Sequence, residues 1–379
     1  MTSANPHTST TRSKILSLRS ARRLIEHDRT DINNRKQHPM TTQMYQEIME
    51  IPSAIASLIE RSGAELKQVG KTFEKLNPAA IVTIARGSSD HAAHFLKYAI
   101  ELNVGIPVAS LGPSLVSVYN ARLKLDRCGA LAISQSGKSP DIVTLAEAVR
   151  NGGAYTVALL NTIQSPLANA STVAVDIAAG PETAVAATKS FVNSVVAGLL
   201  LIAAWTDDEK LERAVKSLPE HLSNDSDAKW PELAAALEGE QSCYIIGRGP
   251  SVAIAAEAAL KCKETCELHA EVYSSAELMH GPVSLVSPKF PILAFAARDL
   301  GEGSVCAAAD QLASKRANVF VTSENAEVAT RLPFIATGHP LTDALAQIVP
   351  FYRFVETLAR QRGLNPDAPP SLMKVTETL

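Results

Sequence analysis

The segment Val82-Thr83-Ile84-Ala85-Arg86-Gly87-Ser88-Ser89 is echoed 162 residues later, Arg248 against Arg86, as Tyr244-Ile245-Ile246-Gly247-Arg248-Gly249-Pro250-Ser251. Each copy joins an apolar run of strand length to a glycine turn. Each continues into an Ala-rich stretch carrying Leu-Lys, at Leu96-Lys97 and Leu260-Lys261. An internal repeat is one supersecondary unit folded twice, so the chain must be built from two like halves.

The surroundings of the first copy set the class of that unit. Ala79 to Ala85 reads as a buried strand, Arg86 to Asp90 as a tight loop and His91 to Leu102 as a helix. The same order recurs at Cys128 to Ser134, Gln135 to Ser139 and Pro140 to Asn151. Short strands follow at Tyr155 to Leu160 and Thr172 to Ile177, then a long helix from Glu182 to Trp205. Alternating strand and helix implies an α/β fold, with a mainly parallel sheet flanked by helices on both faces in each duplicated three-layer unit.

Ahead of the first strand, apolar residues recur at helical spacing from Met44 to Leu76, broken at Pro52 and Gly63, which predicts two helices. Residues 217 to 231 are polar and Pro-containing and read as linker. A strand-helix stretch runs from Phe290 to Arg362, and the tail from Asn365 holds three prolines, which bars a continuous helix. The expected organisation is a head (1–39), N-terminal helices (40–76), a first unit (77–216), a linker (217–239), a second unit (240–362) and a C-terminal tail closing the site (363–379). The Ser-, Thr- and Arg-rich head reads as disordered, or as a start placed ahead of a true initiator at Met40; its Glu26, Asp28 and Asp31 argue against a transit peptide.

With 36 basic and 39 acidic residues, the net charge of -3 supplies no field for nucleic acid or an anionic membrane. The longest apolar run, Val195 to Trp205, falls short of the roughly 20 residues a spanning helix needs. Five cysteines without a CxxC pair suit reduced thiols in the cytoplasm. Cys262, Cys266 and His269, or His91 and His94, do not reach zinc spacing. Neither a dinucleotide fingerprint nor a Walker loop occurs. The expectation is small-molecule chemistry without metal or cofactor.

Two segments carry that chemistry. Ser134-Gln135-Ser136-Gly137-Lys138-Ser139-Pro140 closes a strand and opens a helix, with Ser139 as N-cap and Pro140 as first helical residue. Hydroxyls and free amide N–H groups at a helix N-terminus suit a phosphate, and Ser89, after Gly87 and Ser88 in the neighbouring loop, can complete the cradle. Lys138 reads as solvated. The second segment, Leu260 to Pro282, places Lys261 and Glu264 three residues apart on one helical face and His280 in a His-Gly-Pro turn. Exposed ion pairs are the commoner fate of such spacing, but the helix begins where parallel sheets present ligands. A carboxylate, a lysine and a loop histidine are what reversible proton movement on a sugar requires. The stretch Gly180 to Lys189, including Val185 and Ala187, can line the same site.

Taken together, Ser-Gln-Ser-Gly, Ala-Leu-Lys-x-Lys-Glu and His-Gly-Pro resemble the motifs of the sugar isomerase (SIS) domain proteins from about Met44 onward. The likeness is to the second-type glucosamine-6-phosphate deaminases, relatives of the isomerase half of glucosamine-6-phosphate synthase. It implies phosphate binding by Ser89, Ser134, Gln135, Ser136 and Ser139, and a proton shuttle between C1 and C2 by Glu264. It further implies ring opening by His280 donated from the partner of a homodimer, and lysines near the open-chain sugar at Lys261 and, from the tail, Lys374. Two positions depart from the synthase: Ala187 stands for a serine and Pro370 for an arginine. With no room for a glutaminase domain to supply ammonia, the resemblance implies deamination of glucosamine 6-phosphate to fructose 6-phosphate. Galactosamine-6-phosphate deaminase, fructosamine deglycase, aldose-ketose isomerase and non-catalytic sugar-phosphate sensor remain open alternatives.

Overall fold

The structure, a computed structural model, describes Met1 and residues 41–224, 230–370 and 372–374. The head expected over 1–39 lies, Met1 apart, outside the described residues. Helices α1 (Gln43–Met49) and α2 (Ile51–Leu76) come first, with Pro52 in the opening turn of α2 marking the break. Gly63 does not interrupt α2. A glycine there costs about 1 kcal/mol relative to alanine, and packing of α2 along a later core helix outweighs it.

The first unit then runs β1 (Ala80–Ile84), α3 (Ser88–Asn103), β2 (Val108–Ser110), the single turn α4 (Ser114–Ser117), β3 (Cys128–Ser134), α5 (Pro140–Asn151), β4 (Tyr155–Leu160), α6 (Pro166–Ala170) and β5 (Val173–Asp176). Helices α7 (Lys189–Thr206), α8 (Glu209–Asn224) and α9 (Pro231–Ala236) lead to the second. That unit comprises β6 (Ser242–Gly247), α10 (Pro250–Cys266), β7 (His269–Ser274), two 3-10 turns (Glu277–His280 and Pro282–Leu285), β8 (Pro291–Ala294), α11 (Glu302–Ser314), β9 (Asn318–Val321) and β10 (Thr330–Arg331), closed by α12 (Pro340–Ala346) and α13 (Ile348–Gln361). The linker expected over 217–239 is helical through Asn224 and again over α9. There the apolar face of α8 buries Leu218 and Leu222, which outweighs the polar composition that suggested a loop.

Two five-stranded sheets result, ordered β2-β1-β3-β4-β5 and β7-β6-β8-β9-β10. All pairings are parallel, for example Val82 opposite Ala130 and Ile245 opposite Leu293. The duplication is therefore one of topology as well as sequence. Side chains alternate between the faces of each strand: Ile81, Leu131 and Leu159 enter one core, while Val82, Ala132 and Leu160 enter another beneath α5. Ile245, Leu293 and Phe320 of the second sheet join the first of these cores, so the halves share an interior. Gln43–Leu379 accordingly forms one compact unit.

Helix α7 runs through that interior. It is long and apolar enough to cross a membrane by composition, but 89% of it is buried within the protein, as in a core helix. It starts at Lys189 rather than at the expected Glu182. The Glu182 carboxylate explains the delay, since it accepts from the backbone N–H groups of Thr188 (2.9 Å) and Ser190 (3.1 Å) and from Ser190 Oγ (2.6 Å). Residues 181–188 thereby stay outside the helix, bending at 184–186 along the site.

Candidate active site

The strand order of the first sheet reverses its direction of growth between β1 and β3, and open α/β sheets form their ligand crevice at such a switch point, beyond the carboxyl ends of the strands. Gly87, with φ 54° and ψ -132°, turns the chain leaving β1 so sharply that α3 begins at Ser88, three residues before the expected start. The chain leaving β3 turns at Gly137 (φ 63°) and enters α5 at Pro140, with Ser139 in the expected N-cap position. The Ser139 hydroxyl makes no capping bond, so it remains available to a ligand.

A cavity of about 390 Å³ occupies this crevice. Ser89, Ser134, Gln135, Ser136 and Ser139 line it, together with Gly87, Ser88, Val185 and Ala187. Ser134 Oγ accepts from the Gly137 N–H at 3.0 Å, which holds the loop open. The N-termini of α3 and α5, both at the crevice, add the partial positive charge that favours a phosphate.

The second half of the chain supplies the chemical groups. Glu264, near the end of α10, reaches the same cavity with 23% of its side chain exposed. Its Oε2 lies 2.5 Å from Lys261 Nζ, which also donates to Ser88 Oγ at 3.0 Å and lies 3.4 Å from Glu257 Oε1. Lys261 and Glu257 are fully buried. Burial opposes the ammonium, yet the two carboxylates outweigh it and hold the Lys261 pKa above its ordinary value. Burial likewise opposes the Glu257 carboxylate, but Lys261, His91 and Tyr352 hold its pKa below the usual carboxylate range. His91 Nδ1 stands 3.0 Å from Glu257 Oε2, and Tyr352 donates to Oε1 at 3.0 Å. Glu264 thus borders a ligand-sized space while its lysine is fixed from below.

The tail closes the other side. Asp367 accepts from the backbone N–H groups of Gln43 (2.9 Å) and Met44 (2.7 Å), capping α1, and its carbonyl accepts from Val185 N–H at 3.2 Å. Leu372, Met373 and Lys374 then line the cavity. Lys374 Nζ donates to the Ala184 carbonyl at 2.6 Å and approaches Glu182 Oε2 at 3.4 Å.

Of the site residues expected from sequence, all line this cavity except Lys261, which is fully buried behind Glu264, and His280. His280 is exposed at the end of its 3-10 turn and does not line this cavity. Sequence reasoning missed several neighbours. Arg86 lines the rim, donating from Nε (3.1 Å) and Nη2 (2.6 Å) to Asp141 Oδ2, and reads in sequence only as a turn residue. Glu257 stands four residues before Lys261, a spacing that could have revealed it. His91 and Tyr352 reach Glu257 from distant segments and leave no local signal. Among the described residues no group of three or more His, Cys, Asp and Glu is arranged to hold a metal ion. Burial pushes the Cys266 thiol up to about 12, so that cysteine is a core residue and no nucleophile.

Known proteins share this fold. The SIS domain model matches residues 77–204 and 236–331. The isomerizing glutamine-fructose-6-phosphate aminotransferase of Pyrobaculum aerophilum is 32% identical over 348 residues, covering 87% of this chain and 56% of that protein. The chain spans about half the length of the curated relatives it matches. The crystal structure of a candidate phosphosugar isomerase from Silicibacter pomeroyi DSS-3 is 50% identical with a TM-score of 0.83, covering 86% of this chain and 100% of that one. The glucosamine-6-phosphate deaminase of Thermotoga maritima, 20% identical, shares the fold with a TM-score of 0.71 over 89% of this chain and 100% of its own.

Proposed function

The chain belongs to the SIS domain family, and on that footing we propose that it converts glucosamine 6-phosphate and water to fructose 6-phosphate and ammonia. One observation carries the reading: Glu264, tied to a buried lysine, borders the same 390 Å³ cavity as the hydroxyl cradle at the N-terminus of α5. The cradle holds the 6-phosphate, and binding energy at that remote dianion orients C1 and C2 over Glu264. His280 from a partner chain assists opening of the pyranose ring.

In the open-chain sugar, Glu264 takes the C2 proton as the C1 carbonyl becomes an enol. The proton returns at C1, leaving a hydroxymethyl group there and an imine at C2. Water adds to the imine, ammonia leaves, and the C2 ketone remains. The sequence is redox-neutral. Lys261, charged and fixed between Glu257 and Glu264, supports the open-chain sugar's developing charge from behind the Glu264 carboxylate. Lys374, carried over the site by the tail, faces the same carbons. The small side chain of Ala187 leaves room at the cavity wall.

The test is incubation of the full chain with glucosamine 6-phosphate, with ammonia and fructose 6-phosphate measured in parallel. Equimolar appearance of both is the expected result; ketose without ammonia, or neither, overturns the assignment. The likeness to aminotransferases favours a second reading, amination of fructose 6-phosphate by the same groups. Formation of glucosamine 6-phosphate from fructose 6-phosphate and ammonium at rates exceeding the deamination would establish it.

A further inference from the structure

The second sheet repeats the switch point of the first, between β6 and β8, and a cavity of about 840 Å³ lies beyond its strand ends. The turn that opens it matches its counterpart closely: Gly249 has φ 56° and ψ -134°, against 54° and -132° at Gly87. The chemistry has diverged. In the first copy Arg86 is clamped by Asp141, in the first turn of α5. At the equivalent place in α11 stands Gly303, and the adjacent Glu302 is taken by Ser323 Oγ at 2.6 Å. Arg248 therefore lies in the second crevice with no carboxylate partner among the described residues. Gly301 makes room for it, since a Cβ there would stand 3.1 Å from Arg248 Cγ.

The rest of the lining suits a sugar. His339 Nδ1 accepts from the Leu341 N–H at 3.3 Å, which leaves the proton on Nε2 as a donor. Asp299 and Glu277 offer carboxylate oxygens to hydroxyl groups. Tyr98, its ring tilted 32° to that of His94 at 5.5 Å, presents an aromatic wall. We propose that this crevice is a second binding site, for a sugar phosphate whose phosphate pairs with Arg248 in the bidentate manner of guanidinium groups.

The two crevices share their walls. Helix α3 begins at the first crevice with Ser88 and Ser89 and lends Tyr98 and Leu102 to the second. Helix α10 begins at the second with Gly249 and Pro250 and brings Glu264 to the first, about 21 Å of rigid helix away. His91 and Glu257 bond one helix to the other. Occupation of the second crevice thus acts on the helix that carries Glu264.

Equilibrium dialysis of the full chain against labelled fructose 6-phosphate tests the proposal. Wild type should bind two molecules per chain, Arg248→Gln one, and Ser136→Ala/Ser139→Ala one that is lost on adding Arg248→Gln. Equal binding by wild type and Arg248→Gln overturns the second site. Binding by the serine variant equal to wild type instead overturns the first cradle and the proposed function, leaving the second site standing.

Discussion

Glu264→Gln separates proton transfer from binding. The amide keeps the shape of the side chain and an oxygen within reach of Lys261, now 2.5 Å from the carboxylate, but cannot take a proton from carbon. General-base catalysis contributes about 10²- to 10⁴-fold, or about 2.7 to 5.4 kcal/mol of barrier at 1.36 kcal/mol per factor of ten. Glu264 is not part of the phosphate cradle, so KM should change less than about threefold. Lys261 retains Ser88 Oγ at 3.0 Å and Glu257 at 3.4 Å, so the variant should lose no more than about 3 kcal/mol of stability, the range for one hydrogen bond to a charged group. The assay is initial-rate release of ammonia from glucosamine 6-phosphate, alongside a thermal melt confirming a folded protein. Turnover within about tenfold of wild type would refute the base assignment.

Glu257→Gln should cost about 3 to 5 kcal/mol in urea unfolding, because it leaves Lys261 buried with half its compensation. The pKa of Glu257 lies below its ordinary 4.5, so its charge stabilises the fold above that pH and the contribution fades as pH falls further; the variant should lack this part of the acid dependence. Gly137→Ala would force a Cβ to 2.3 Å from Ser165 Oγ at φ 63°, distorting the cradle, and should raise KM about tenfold with kcat little changed; an unaltered KM would count against the cradle. Mixing inactive Glu264→Gln with inactive His280→Ala should restore about a quarter of wild-type activity if His280 crosses between subunits of a twofold dimer. Failure of the refolded mixture to recover activity would rule out the crossing.

The features legible in sequence were those set by local chemistry. Cys128–Ser134 and Pro140–Asn151 were delimited to the residue because an apolar run, a glycine turn and Ser139-Pro140 punctuate them. Lys261 and Glu264 could be paired from helical spacing alone. Errors arose where a distant group decides. The late start of α7 depends on the Glu182 carboxylate folding back on Thr188 and Ser190, and the helix at 217–224 depends on packing that a polar stretch does not announce. The charge network under the site joins His91, Glu257 and Tyr352 from three helices. No single window of sequence contains it.

The crossed arrangement of α3 and α10 bears on how such a protein could arise. A single ancestral repeat would have held an anion-binding loop with no base above it, because the glutamate that borders the first crevice rides on the helix of the second repeat. Such a molecule could have turned over substrate only as a pair of identical copies. Fusing the pair into one polypeptide left one crevice with the catalytic carboxylate and released the other from that duty.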